Sequence, residues 1–211
     1  MKKRYFWLAV SGVLLVLLAL MPVRSLAQPN YIAQAYAFIS QGSSLGPPNG
    51  LNKLTAENPA YGARGCAYKV AETNLAEAAK IMMQVAQTLV TFARTTTETR
   101  RDINPRDPTK YFRDQYYQSA IHQMMAVRDF LKRMAAAQPA QAATLAIQAA
   151  TFFYNSMPGD DAYRSNYLEH AKLFLHVGNY SALYFARQVK DNNQKRALIN
   201  QIKAQRTAWG F

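Results

Sequence analysis

A single cysteine, Cys66, is all the chain holds, so no intrachain disulfide can staple the fold. Cys-x-x-Cys-His is absent, which excludes ordinary covalent haem attachment, and no cysteine closes the hydrophobic lead, which excludes lipoprotein processing at the usual position. Cys66 reads as a small, buried or half-buried residue; an intermolecular disulfide and a reactive thiol are the other readings. Histidine is scarce too. His122, His170 and His176 are the only three, and no two stand three or four apart, so none pair on one helix face as metal ligands. His-Glu-x-x-His, Glu-x-x-His and Gly-x-Ser-x-Gly are missing, and the stretch from Gly62 to Gly65 lacks the preceding strand and the lysine of a phosphate loop.

Acid is in short supply as well, with 12 Asp and Glu against 25 Lys and Arg and a net charge of +13. The few clustered acids have structural readings. Asp160 and Asp161 stand where helix-capping acids belong, and Glu98 and Asp102 read as a surface ion network with Arg94 and Arg101. No catalytic residue, metal ligand or cofactor is assigned on these grounds, and the chain is not expected to be an enzyme.

What is present starts with Lys2, Lys3 and Arg4 ahead of an uncharged, apolar run from Tyr5 to Val23, the pattern of a membrane-directed segment with its basic end inside. The run exceeds a signal core of roughly 7–15 residues and approaches the roughly 20 that span a bilayer. Pro22 and the Ser25-Leu26-Ala27 triplet have the form of a cleavage site. Two fates stay open: an anchor through residues 5–23, or cleavage after Ala27. Both put the body at the periplasmic face of the cytoplasmic membrane or free in the periplasm, and nucleic acid is then excluded as a partner. Lys2, Lys3, Arg4 and Arg24 belong to the lead, so the body keeps 21 basic residues against all 12 acids. That surplus suits anionic lipid headgroups or an acidic protein face.

Beyond the lead (1–27), the chain divides into a short helix and long Gly/Pro loop (28–65) and a helical bundle (66–211). Tyr31, Ile32, Ala35, Phe38 and Ile39 form the short periodic piece. From Gln41 to Gly65, around Gly46-Pro47-Pro48-Asn49-Gly50, the composition is that of a loop: either a tether, or an arm laid over a partner subunit and anchored by Tyr61 and Arg64.

The bundle is expected to be organised around one helix from Cys66 to about Arg101, with Leu75, Ala78, Met82, Val85, Leu89 and Phe92 sharing a face. Asn104-Pro105 stops it, and Asp107 caps a second long helix that begins at Pro108 and runs to Gln138. Tyr117, Ala120, Met124, Val127, Leu131 and Met134 repeat the spacing, so the two pair as an antiparallel hairpin. A third helix, from Pro139 to Met157, carries no charge and reads as the central buried one. A fourth spans Asp161 to Val177 with Asp160 as cap. Gly178-Asn179 then turns into a further helix, with Asn179 as its cap, and Asp191-Asn192-Asn193 bends or breaks the last.

Between Ala171 and Ala186 a small residue, a turn glycine, an aromatic two later and a repeated alanine resemble part of one tetratricopeptide unit, with no second copy. The resemblance implies a tight helical hairpin and peptide or protein binding.

Two basic regions stand out. Arg100, Arg101, Arg106, Lys110 and Arg113 face Asp102 and Asp107, whereas Arg187, Lys190, Lys195, Arg196, Lys203 and Arg206 face Asp191 alone. The second is either a solvated face or a docking surface. Trp209 and Phe211 beside it are either tucked into a groove or docked into a neighbour. The expectation is an all-α, extracytoplasmic bundle of four to six helices with an N-terminal hydrophobic helix. Its role is that of a non-catalytic accessory or scaffold subunit stabilising a larger membrane protein complex, such as an energy-transducing one, from the periplasmic side. The alternative is a free periplasmic helical protein binding a peptide or small ligand. The partner-binding candidates are Arg187, Lys190, Lys195, Arg196, Lys203, Arg206, Trp209, Phe211, Tyr61 and Arg64.

Overall fold

The computed structural model describes residues 30–45, 53–99, 101, 105–159 and 161–211. Among them are eight α-helices and no strand: α1 (Tyr31–Ser44), α2 (Lys53–Val70), α3 (Leu75–Thr95), α4 (Lys110–Ala135), α5 (Pro139–Asn155), α6 (Asp161–Leu175), α7 (Ala182–Gln188) and α8 (Asn192–Trp209). The expectation of four to six helices is corrected by two features.

The first is α2. Pro59, Gly62 and Gly65 oppose a helix there, yet Ala60, Ala63, Ala67 and Val70 recur at three and four and are buried, so packing overrides propensity. Gln34 faces Cys66, Phe38 faces Gly62 and Gly42 faces Pro59, which makes α1 and α2 an antiparallel pair. The expected loop from Gln41 to Gly65 is therefore helical at both ends, and its Gly46–Gly50 centre lies outside the described residues.

The second feature is the start of α3. A turn at Ala71–Asn74 separates Cys66 from the helix it was expected to open, and Asn74 caps α3 by accepting the Glu77 N–H at 3.0 Å. The apolar face runs as expected from Ala78 to Phe92, but Ala79, Ile81, Ala86 and Val90 are buried too. α3 is buried that widely because it packs against α1, α2, α4 and α5.

Phe92 of α3 meets Tyr116 near the start of α4, and Arg133 near the end of α4 donates to the Ala71 carbonyl, so α3 and α4 form the expected antiparallel pair. Charge-free α5 takes the centre of the C-terminal half, touching α3, α4, α6, α7 and α8 through Ala142, Ala143, Ala146, Ala149, Ala150 and Phe153. Phe153 packs on Tyr167, His170 and Phe174 of α6, and the buried Tyr167 hydroxyl donates to the Tyr117 carbonyl at 3.2 Å.

Two helix starts differ from expectation: Asp107 accepts from Thr109 and Arg113 instead of capping at Pro108, and Ser181, not Asn179, caps α7. The expected break at Asp191 falls between α7 and α8, with Asp191 as the cap of α8. Asp160 lies outside the described residues. The hairpin implied by the tetratricopeptide resemblance does not form, because α6 and α7 each pack chiefly on α5 and barely on each other.

The membrane-anchored reading is corrected as well. Among the described residues no helix is long and apolar enough to cross a membrane. The most apolar uncharged one, α5, is 17 residues long and carries Gln141, Thr144, Gln148 and Thr151, short of the roughly 20 apolar residues a span requires. Tyr5–Val23, on which both the anchor and the periplasmic-face placement rested, lies outside the described residues, as does the expected cleavage point.

Candidate functional site

α7 and α8 carry the sharpest imbalance of charge. From His170 onward the chain holds Lys172, Arg187, Lys190, Lys195, Arg196, Lys203 and Arg206 against the single acid Asp191. Asp191 is occupied, since its carboxylate accepts the Gln194 N–H at 2.7 Å as the cap of α8. Arg187, Lys190, Arg196 and Lys203 are exposed, and Lys195 and Arg206 are half-buried beside the seam that Leu198 and Ile202 make with the body. None of the six expected partner-binding cations makes an ion pair among the described residues. Lys195, Arg196, Ile199, Lys203 and Arg206 fall along one flank of α8, which carries no acid.

The earlier basic region behaves differently. Arg113 contacts Asp107 at 2.6 Å and Lys110 contacts Asp114 at 3.2 Å, so two of its five cations are met within the fold. The Arg113 guanidinium holds the Asp107 carboxyl below its usual range. Glu98 is buried and Arg94 donates to the Asn155 carbonyl at 3.4 Å; Asp102, the other acid of the expected network, lies outside the described residues.

Trp209 and Phe211 fold back on the body. The Trp209 ring stacks on Tyr154 of α5 at 4.4 Å and 11°, while Phe211 lies 6.2 Å from Tyr154 and 5.9 Å from His176. Gly210 permits this by taking φ +72, and its N–H and that of Phe211 satisfy the last carbonyls of α8. Lys172 Nζ sits 5.0 Å above the Phe211 ring. The sequence reading missed Lys172 and His176 as part of this corner; their spacing of four, with Lys172 in the last turn of α6 and His176 just past its end, was the available signal.

Tyr61 and Arg64 belong to a separate surface on α2, with the guanidinium 5.3 Å from the ring centroid. Tyr68, seven residues after Tyr61, extends the stripe, is half exposed and meets Phe130 edge-on. α2 packs on α1 and α3 whereas α8 packs on α5 and α7, so the ten candidates form two surfaces, not one.

A cleft of about 360 Å³ opens between α1 and α3, lined by Ile39, Gly42, Phe92, Thr88, Thr91 and Thr95, with Gln84 and Gln87 at its polar side. The three threonine hydroxyls bond carbonyls one turn back at 3.1, 3.1 and 2.8 Å, which spends their polarity on the helix. Cys66 is buried, and burial pushes its thiol above the ordinary range, away from nucleophilic use. Among the described residues no group of three or more His, Cys, Asp or Glu is placed to hold a metal ion.

No protein-family model, curated protein or solved structure matches the chain.

Proposed function

We propose that this chain is a non-catalytic accessory subunit that binds and stabilises a larger protein complex by docking an acidic face of its partner on α7 and α8. The observation that carries this reading is the uncompensated charge of Arg187, Lys190, Lys195, Arg196, Lys203 and Arg206, whose one neighbouring acid is committed to capping α8. Cations without internal ion pairs can meet a partner's acids without first breaking a pair within the fold. Opposed acid on a partner therefore steers encounter and fixes register.

The test is titration of the full chain with a polyglutamate peptide. Binding is expected to weaken as salt rises, and Arg196→Glu with Lys203→Glu should weaken it at least tenfold, about 1.4 kcal/mol, with the melting transition unchanged. Equal binding by the charge-reversed protein, or binding to anionic phospholipid vesicles and not to the peptide, contradicts the proposal.

A second reading is favoured by the cleft between α1 and α3, whose spent hydroxyls leave room for a small apolar ligand with one polar end near Gln84 and Gln87. Its test is a thermal shift with short alkyl amides, abolished by Ile39→Trp if the cleft is the site.

A further inference from the structure

The exposed side of α3 is bordered by a cleft on each flank. The first, against α1, holds about 360 Å³ and has Ile39, Gly42 and Phe92 among its walls. The second, against α5, also holds about 360 Å³ and is lined by Met83 of α3 with Gln148, Thr151, Phe152 and Asn155. Gln84 and Gln87 line both, so the two clefts meet along one ridge of α3. Gln84, Gln87 and Gln148 are exposed, and among the described residues none of their side-chain amides is bonded within the fold. Other polar groups of the second cleft are committed. The Thr151 hydroxyl donates to the Ile147 carbonyl at 2.9 Å and accepts from the Gln205 amide at 3.3 Å, and the Asn155 carbonyl accepts from Arg94. No acid lines either cleft, and the one cation that does, Lys80, is paired with Glu77 at 3.2 Å.

We propose that the two clefts form a single site for a neutral amphiphile, its alkyl chain in the α1/α3 cleft and a hydroxyl-rich head of the glycoside class in the α3/α5 cleft. The difference between the linings sets the orientation. In the first cleft the threonine hydroxyls are spent on α3 itself, which leaves an apolar slot for a chain. Across the ridge, each open glutamine amide supplies donors and an acceptor, and a hydroxyl, which also gives and takes, answers both. Phe152 adds an apolar surface for the C–H side of a sugar ring. A charged head would lose water there and meet no free counter-charge, since Lys80 is already paired. The acidic partner drawn to α7 and α8 therefore does not suit this site. The inference rests on the second reading above, the small ligand in the α1/α3 cleft, and adds to it the second cleft and the class of head group.

The experiment is calorimetric titration of the full chain with n-octyl maltoside, kept below the concentration at which it forms micelles, against octanamide as the chain-matched probe. Octyl maltoside should bind saturably and at least tenfold more tightly than octanamide. Gln148→Leu, exposed and lining only the α3/α5 cleft, should remove that advantage and leave octanamide binding as it was. Ile39→Trp, in the α1/α3 cleft, should abolish binding of both. Gln141→Leu, exposed on α5 but outside both clefts, should change neither. Octyl maltoside no tighter than octanamide, or an advantage that survives Gln148→Leu, overturns the inference and leaves the second reading standing. Saturable binding by neither compound overturns both.

Discussion

Asp191 holds two roles at the residue scale, and two substitutions separate them. Its carboxylate caps α8 and is also the one negative charge beside the basic face. Asparagine caps as well as aspartate, so Asp191→Asn should leave stability near its starting value and strengthen polyglutamate binding. Asp191→Ala should strengthen binding likewise and cost about 1 kcal/mol, read as a lower urea midpoint. The pH dependence of folding follows from side chains held off their ordinary ranges. His170 and His176 are both lowered, chiefly by burial, so the unfolded chain binds more protons near and below their ordinary value of 6.5. Stability is then full above 6.5 and falls as pH drops through the folded values. Glu77, lowered by the Tyr36 hydroxyl bond at 2.6 Å and by Lys80, adds a second loss below its ordinary 4.5. At the alkaline end the signs reverse. Burial raises Cys66 above 9.0, and burial and Glu77 raise Tyr36 to about 12, so their contributions vanish as pH climbs through those values. Urea melts across pH should show a plateau between about 6.5 and 9, and His170→Gln with His176→Gln should remove the first acid step.

Among the elements, α1 and α2 depend on one close approach. A Cβ built on Gly62 meets the Phe38 ring at 3.0 Å, so Gly62→Ala must displace that ring, at a cost of about 1 kcal/mol. Hydrogen exchange should quicken in α1 and α2 and stay slow in α5, whose alanine face lies far from the change in packing order. The same pair shows where pattern reading stops. Pro59, Gly62 and Gly65 weigh against a helix by propensity, and the compensating run of buried Ala60, Ala63, Ala67 and Val70 is made of small residues that contribute little to a periodic signal. The division between α2 and α3 was legible and overlooked: Asn74 with Glu77 three residues on is a capping pattern, but the apolar period on either side hid it. By contrast the faces of α3 and α4, and the central place of α5, followed directly from spacing and from an absence of charge. In α3 and α4 large side chains define the stripe, and in α5 the missing charge is the signal. For the site, the excess of cations on α7 and α8 was visible as composition. Which basic region stays uncompensated was not, because Arg113 finds Asp107 through the chain's path while the α8 cations find no acid.

Taken as a whole, the described molecule is a set of eight helices whose internal ion pairs lie on α2, α3 and α4 and in the approach to α4, leaving the positive charge of α7 and α8 unspent. Trp209 and Phe211 serve as the clasp that holds α8 to α5 and α6, and so present the basic flank on a fixed support instead of a loose helix. A rigid charged flank gives a partner a surface to register against. The central claim is that this flank joins the chain to a larger assembly, and the native size of the particle carrying it is the most direct test. Isolated from its own cells under mild conditions, the chain should travel in a complex far larger than its own 23.7 kDa, and Arg196→Glu with Lys203→Glu should release it at that size, still folded. A wild-type chain migrating alone at 23.7 kDa, or a charge-reversed chain retained in the complex, contradicts the account.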